Sequence, residues 1–310
     1  MTTLLATHPS FLEHDTGPHH PERPDRLRAI LAALEDPAFA GLVRATAPLA
    51  TLEEMGRVHP PEYIETILGV QPGPGELVHV DGDTVMSKGS AEAVQRAAGA
   101  AVMCVDAVLR GEVQTAFAAV RPPGHHASPT IPGGFCLINN AAVAARHAQA
   151  RHRLERVAIL DFDVHHGQGT QAVAEIDPSL FYASTHQYPL YPGTGSAREH
   201  GINGNVVNVP LPGGAGGPQF RAAWEQRILP ALDSFAPQLL VLSAGFDAHA
   251  DDPLAGLEVE TTDFMWLTEA FRDIANRHAG GRIVSVLEGG YDLGALADAV
   301  SSHLRVLMRE

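Results

Sequence analysis

The sequence predicts an α/β protein in which a parallel sheet is covered by helices on both faces. Three observations carry this. Apolar runs of strand length recur along the 310 residues. Segments with helical spacing of apolar residues lie between several of them. The runs are continuously apolar rather than alternating, which marks strands buried on both faces beneath crossover helices.

In chain order, the strand-like runs are residues 115–120, 157–160, 180–184, 206–209, 239–243 and 283–287. The clearest helix is 90–109, where Val94, Ala97, Ala98, Ala101, Val102, Val105, Val108 and Leu109 recur at a period near 3.6. Segments 141–150, 220–235, 262–278 and 293–308 read likewise, and 24–34 is a further helical stretch. The Pro/Gly-rich pieces 71–75 and 210–218 are short enough to be loops inside one domain. There is no internal repeat and no low-complexity tract. A single three-layer α/β/α domain over residues 1–310 is expected.

Apolar residues make up 45% of the chain, as in ordinary globular proteins. No apolar run reaches membrane-spanning length, and the N-terminus lacks a basic segment followed by a long apolar one. Cys104 and Cys136 give no disulfide framework and suit a reducing compartment. These features point to a cytoplasmic protein. The net charge of −15, from 21 basic and 36 acidic residues, argues against direct nucleic-acid binding. It suits cationic substrates such as lysine-bearing peptides or polyamines, as well as plain solubility. Many of the 17 histidines fall beside Pro, Gly or Asp rather than in helical patterns, which suggests site or loop roles for several.

The chemistry sits where strands end. Run 157–160 leads into Asp161-Phe162-Asp163-Val164-His165-His166-Gly167-Gln168-Gly169. Asp163 and His165 are two apart, so on a strand they would share a face and form half of a metal site. Run 115–120 leads into Arg121-Pro122-Pro123-Gly124-His125-His126, run 239–243 into Ala244-Gly245-Phe246-Asp247, and run 283–287 into Glu288-Gly289-Gly290-Tyr291. In open α/β sheets this edge is where ligands bind.

Each cluster has a plain alternative. A His pair is often a packed loop, Asp247 could cap a following helix, and Gly289-Gly290-Tyr291 could be a tight turn. Together they form a coherent set for amide hydrolysis. Asp163, His165 and Asp247 would leave coordination positions open on a metal. A metal activates water and polarises a carbonyl. An imidazole can move the proton, and a tyrosine hydroxyl can donate to the oxyanion.

These residues resemble the histone deacetylase superfamily, and within it the class II and bacterial amidohydrolase branch. The matching strings are His20-Pro21-Glu22-Arg23-Pro24, Arg121 to His126, Gly134-Phe135-Cys136 with Asn139-Asn140, Asp161 to Gly169, Ser243 to Asp247, Asp252-Pro253-Leu254 and Leu287 to Tyr291. They occur in the family's order across nearly the whole chain.

The resemblance implies an arginase/deacetylase fold with an eight-stranded parallel sheet. It implies Zn²⁺ on Asp163, His165 and Asp247, His126 as general base and acid, and His125 as an electrostatic partner oriented by Asp161. Tyr291 would stabilise the oxyanion. A structural K⁺ would lie at Asp161, Ser184 and Thr185 with the backbone of Asp163 and His165. Gly134 and Phe135 match the acyl-lysine tunnel wall, and Tyr191 stands where the family usually has an opposing Phe. Asp83 aligns by spacing with a rim residue that holds the substrate backbone in class I relatives, its plain alternative being a turn acid. Arg26 matches the arginine of the acetate channel, its plain alternative being an exposed helix residue. Gln168 stands where class I relatives place an Asp beside the second histidine, as in class II.

The expected activity is Zn²⁺-dependent hydrolysis of acyl-lysine in proteins or peptides, with no membrane partner and with an oligomer compatible. An acetylpolyamine amidohydrolase is the nearest rival. Polyamine-specific relatives on the eukaryotic side place a Glu seven residues after the third metal ligand, where this chain has Leu254, which favours a lysine side chain without excluding polyamines. A non-catalytic acyl-lysine binder and a two-Mn²⁺ arginase-type hydrolase fit the intact His pair and Tyr291 less well.

Overall fold

The computed structural model describes residues 2–309, with Met1 and Glu310 outside the described residues. One sheet organises the chain. Its strands are β1 (Thr3–Thr7), β2 (Leu42–Thr46), β5 (Thr115–Ala118), β6 (Val157–Asp161), β7 (Leu180–Gln187), β8 (Val206–Leu211), β9 (Leu239–Ala244) and β10 (Ile283–Leu287). The short pair β3 (Val78–His79) and β4 (Val85–Met86) forms a separate antiparallel ribbon. The main sheet has the order β2-β1-β5-β10-β9-β6-β7-β8, and every pairing is parallel. β5, β6, β9 and β10 are buried along their whole length, which explains their unbroken apolar character. Helices Ser90–Leu109 and Asn140–His152 pack together on the sheet. Helices Pro24–Ala33, Thr261–His278 and Leu293–Leu307 form a second packed group. The result is the three-layer α/β/α fold that the sequence implies. Among the described residues, no helix is long and apolar enough to cross a membrane.

The six strand-like runs all become strands of this sheet. The two that periodicity misses are β1 and β2. β1 offers only Leu4, Leu5 and Ala6 as an apolar run. β2 is an edge strand with Val43 and Arg44 exposed, so it has no buried face to leave a continuous pattern. Its register comes from pairing with β1, Thr3 opposite Leu42 through Thr7 opposite Thr46. The expected helix 220–235 is three pieces: Gly217–Ala223, a π-turn at Trp224–Ile228, and Leu229–Phe235. Pro230 lacks an N–H and its ring would crowd the carbonyl four residues back, and the wider turn just ahead of it accommodates both.

Asp163 and His165 are not on a strand, because β6 ends at Asp161 and the next helix starts at Gln168. The two-residue spacing therefore does not act through strand alternation. The loop itself brings them together, as Asp163 Oδ1 accepts the backbone N–H of His165 at 2.9 Å. What the sheet does supply is adjacency. β5, β10, β9 and β6 are four neighbouring central strands, and their C-terminal ends deliver the four polar clusters to one edge.

Candidate active site

Asp163, His165 and Asp247 converge within the spread of a single metal site. His165 Nδ1 lies 3.1 Å from Asp163 Oδ1 and 3.2 Å from Asp247 Oδ2. The remaining oxygens are tied down: Asp163 Oδ2 accepts from Gly289 N at 2.9 Å, and Asp247 Oδ1 from Val164 N at 2.8 Å. Asp247 therefore caps no helix. Gly289 is required by close approach, since a Cβ there would stand 2.1 Å from Asp247 Oδ2. Burial and the neighbouring Asp163 push the Asp247 carboxyl up to about 7. His165 goes up to about 10, because the two carboxylates outweigh the burial that opposes its charge. Two buried carboxylates competing for one imidazole proton make a site that a divalent cation would satisfy, and the donor set fits Zn²⁺.

The tandem histidines are distinguished by their partners. His125 Nδ1 donates to Asp161 Oδ2 at 2.9 Å, which also accepts from the Tyr182 hydroxyl at 3.1 Å. Although burial opposes it, the charges of Asp161 and Asp163 hold His125 well above the usual imidazole range. His126 Nδ1 lies 2.7 Å from Gln168 Oε1, while Gln168 Nε2 donates to the His126 carbonyl at 3.2 Å. That second bond fixes the amide orientation, so Nδ1 must carry the proton and Nε2 keeps its lone pair. Burial, then the charges of His125 and His165, lower His126 well below the usual range.

Above these groups is a cavity of about 220 Å³ lined by His126, His165 and Tyr291, by Gly134, Phe135 and Tyr191, and by Asp83, Leu190 and Leu254. Tyr191 stands edge-on to His126, with ring centroids 5.0 Å apart. Gly134 has φ +54, and a Cβ there would come 2.4 Å from His126 Cδ2, so only glycine fits. Asp83 is exposed at the mouth. Burial and the nearby Asp247 and Asp163 raise the Tyr291 hydroxyl well above the usual range despite the opposing charge of Arg26, keeping it a donor.

Arg26 is fully buried, so its reading as an exposed helix residue is excluded. Its guanidinium lies 4.9 Å from the Tyr291 ring centroid and donates to Gly290 O at 2.5 Å and Glu288 O at 2.6 Å. Glu22 balances it at 3.0 Å and also takes Arg121 at 2.5 and 2.7 Å. Sequence reasoning assigned no role to Glu22, Arg121 or Glu288. Glu288 accepts from Gly124 N at 2.6 Å, His125 N at 3.1 Å and Ser243 Oγ at 3.1 Å. The signal for Glu288 was an acid directly after a buried apolar run, where only strong partners make a carboxylate tolerable.

Asp161 and Ser184 are register partners on β6 and β7. His186 Nε2 must donate to Gly195 O, so its Nδ1 accepts from the Ser184 hydroxyl, leaving the Ser184 lone pairs free. Ser184 shares a strand face with Tyr182, which bonds Asp161. Thr185 points to the other face, and its buried Oγ1 has no partner.

Two further clusters of possible ligands are engaged with protein partners. In His125, Cys136 and Glu288, burial raises the Cys136 thiol well above its usual range, and its Sγ donates to Gly134 O at 3.3 Å. In Asp106, His147 and His152, the Arg57 guanidinium faces His147 Nδ1 at 2.5 Å. An arginine can only donate, so the His147 proton sits on Nε2, which donates to Asp106 at 2.8 Å rather than offering a lone pair.

A sequence profile described as the histone deacetylase domain matches residues 20–307. The histone deacetylase-like amidohydrolase of Pseudomonas aeruginosa is 42% identical over 278 residues, covering 88% of this chain and 72% of that protein. Polyamine deacetylase HDAC10 of Homo sapiens is 39% identical over 302 residues, covering 93% of this chain and 44% of that protein. The crystal structure of the HDA15 HD domain matches with a TM-score of 0.93 and 36% identity, covering 99% of this chain and 88% of that one.

Proposed function

The chain belongs to the histone deacetylase family, and we propose that it is a Zn²⁺-dependent deacylase whose substrate is acyl-lysine in proteins or peptides. The observation that supports this most is the His126 tautomer. An imidazole with Nδ1–H committed to Gln168 presents an unprotonated Nε2, and it lines the same narrow cavity as His165 and Tyr291. Asp163, His165 and Asp247 would hold Zn²⁺, which when bound supplies activation of water and polarisation of the acyl carbonyl.

The protein's own groups account for the proton traffic. His126 Nε2 takes a proton from the attacking water as the C–O bond forms, then gives it to the amine as the C–N bond breaks, releasing carboxylate and free amine. His125, charged and held by Asp161, keeps His126 neutral by repulsion until it takes that proton. The Tyr291 hydroxyl donates to the acyl oxygen as it becomes an oxyanion. Phe135, Gly134 and Tyr191 enclose the alkyl chain, and Asp83 at the mouth accepts from the substrate backbone. Arg26 marks the exit side for the released acid. K⁺ would be held by Asp161, Ser184 Oγ and the main chain of Thr185, with the backbone of Asp163 and His165.

The test is a kcat/KM panel of acetyl-lysine peptides, longer acyl-lysines and acetylated polyamines on the zinc-loaded protein. Acetyl-lysine is expected to lead, because the apolar Leu254 offers no carboxylate to a distal ammonium. Preference for acetylpolyamines would transfer the assignment to the rival. Tyr291→Phe should lower kcat by roughly 10²- to 10³-fold with metal content unchanged, the cost of one oxyanion donor. Near-normal kcat in that variant would contradict the assigned role.

Gln168 supports a pH prediction. A neutral amide stabilises imidazolium less than a carboxylate would. Gln168→Asp should therefore raise the His126 pKa and move the acidic limb of kcat/KM to higher pH. A limb that stays put or moves down would show that position 168 does not set the base.

A further inference from the structure

We propose that Asp252 is a positioning residue that fixes the reach of the Tyr291 hydroxyl. The inference rests on the deacylase reading of the cavity. Tyr291 ends the Glu288-Gly289-Gly290 loop, and Gly290 has φ +121, a conformation that side chains rarely adopt. Such a segment is intrinsically free to move, so its position depends on what binds its peptide groups. Arg26 holds the carbonyls of Glu288 and Gly290. Asp163 holds the Gly289 N–H, and Phe246 N donates to the Gly289 carbonyl at 3.0 Å. The N–H of Tyr291 itself goes to Asp252 Oδ2 at 2.8 Å.

The other Asp252 oxygen accepts from Leu254 N at 3.0 Å. Asp252 is 7% exposed and does not itself line the cavity, whereas Tyr291 and Leu254 both do. One buried carboxylate thus joins the backbone of the oxyanion donor to that of the cavity wall. It sits in the turn that also carries Asp247, with Asp252 N bonded to His249 O at 2.9 Å. The loop after β9 therefore contributes a metal ligand, a wall residue and the anchor of the tyrosine. Two backbone donors call for two acceptor oxygens. A carboxylate meets both, while an amide would set its NH₂ against one of them.

The test compares wild type, Asp252→Ala, Asp252→Asn, Tyr291→Phe and the Asp252→Ala/Tyr291→Phe double variant on zinc-loaded protein. Each is assayed with an acetyl-lysine and a trifluoroacetyl-lysine peptide, alongside metal content. Fluorine withdraws electrons and stabilises the oxyanion, so the second substrate needs the tyrosine less. Asp252→Ala is expected to lower kcat on acetyl-lysine by roughly 10²-fold, as an ångström-scale misplacement does. The loss on trifluoroacetyl-lysine should be roughly tenfold smaller. In the double variant, the loss should barely exceed that of Tyr291→Phe alone. If Asp252→Ala does not fold, Asp252→Asn carries the same comparison with a smaller loss. Equal losses on both substrates, losses that multiply in the double variant, or unchanged kcat would each overturn the inference alone. Wild-type protein that turns over neither peptide would overturn the deacylase reading and this inference with it.

Discussion

Asp247→Ala is expected to lose the metal and bring turnover to background together. The variant leaves two of the three proposed ligands, Asp163 and His165, where three are needed to hold an ion with positions open for water and substrate. It also removes the acceptor for Val164 N–H, so the loop that carries His165 loses an anchor. Metal analysis on the purified variant checks the first effect, and assay with added Zn²⁺ checks the second. Stoichiometric metal with near-normal kcat would contradict the ligand set. The same three residues predict a pH dependence of loading. Without metal, His165 holds its proton up to about 10 because Asp163 and Asp247 outweigh the burial that opposes it. Loading must displace that proton, so metal affinity should fall as pH falls below that value, with proton release measurable in a weakly buffered titration.

His126→Ala should lower kcat by about 10²- to 10⁴-fold, the range attached to a positioned general base. Metal content should be unchanged, because His126 is bonded to Gln168 and is not among the three converging ligands. That separates it from Asp247→Ala: one variant loses chemistry while loaded, the other loses the ion. KM should move little, since the cavity walls at Phe135, Tyr191 and Leu254 remain. A kcat within several-fold of wild type would mean that another group moves the proton. The neighbouring His125 is ill suited to replace it, because Asp161 and Asp163 hold it protonated.

Much of this site was legible in sequence, and for a physical reason. A buried parallel strand must be apolar, so the first polar residues after it stand out and fall on the ligand-binding edge. Asp163, Asp247, His126 and Tyr291 are all picked out this way, and the structure brings them together around one cavity and its floor. Gln168 was legible because the identity of one residue, amide or acid, changes the basicity of the adjacent imidazole. The strand reading of Asp163 and His165 failed because spacing alone does not show where a strand stops. The edge strand β2 was missed because half-exposed residues leave no apolar run. The break in helix 217–235 turned on how Pro230 was accommodated, which periodicity does not register.

The sequence by itself determined the fold class, the chemistry available at each strand exit and the resemblance that assigns roles to those groups. It could do so because strand burial and motif order are local properties of the chain. Only the tertiary structure decided which exits are neighbours, through the order β5-β10-β9-β6. It alone paired Glu22 with Arg121, Arg26 with Gly290 and Asp252 with Tyr291, contacts that join residues far apart in the chain. It also decided the protonation states of His125 and His126, which are adjacent in sequence and identical in type. Burial and the charge of the nearest partner set those states, and both are properties of the packed molecule rather than of the residue.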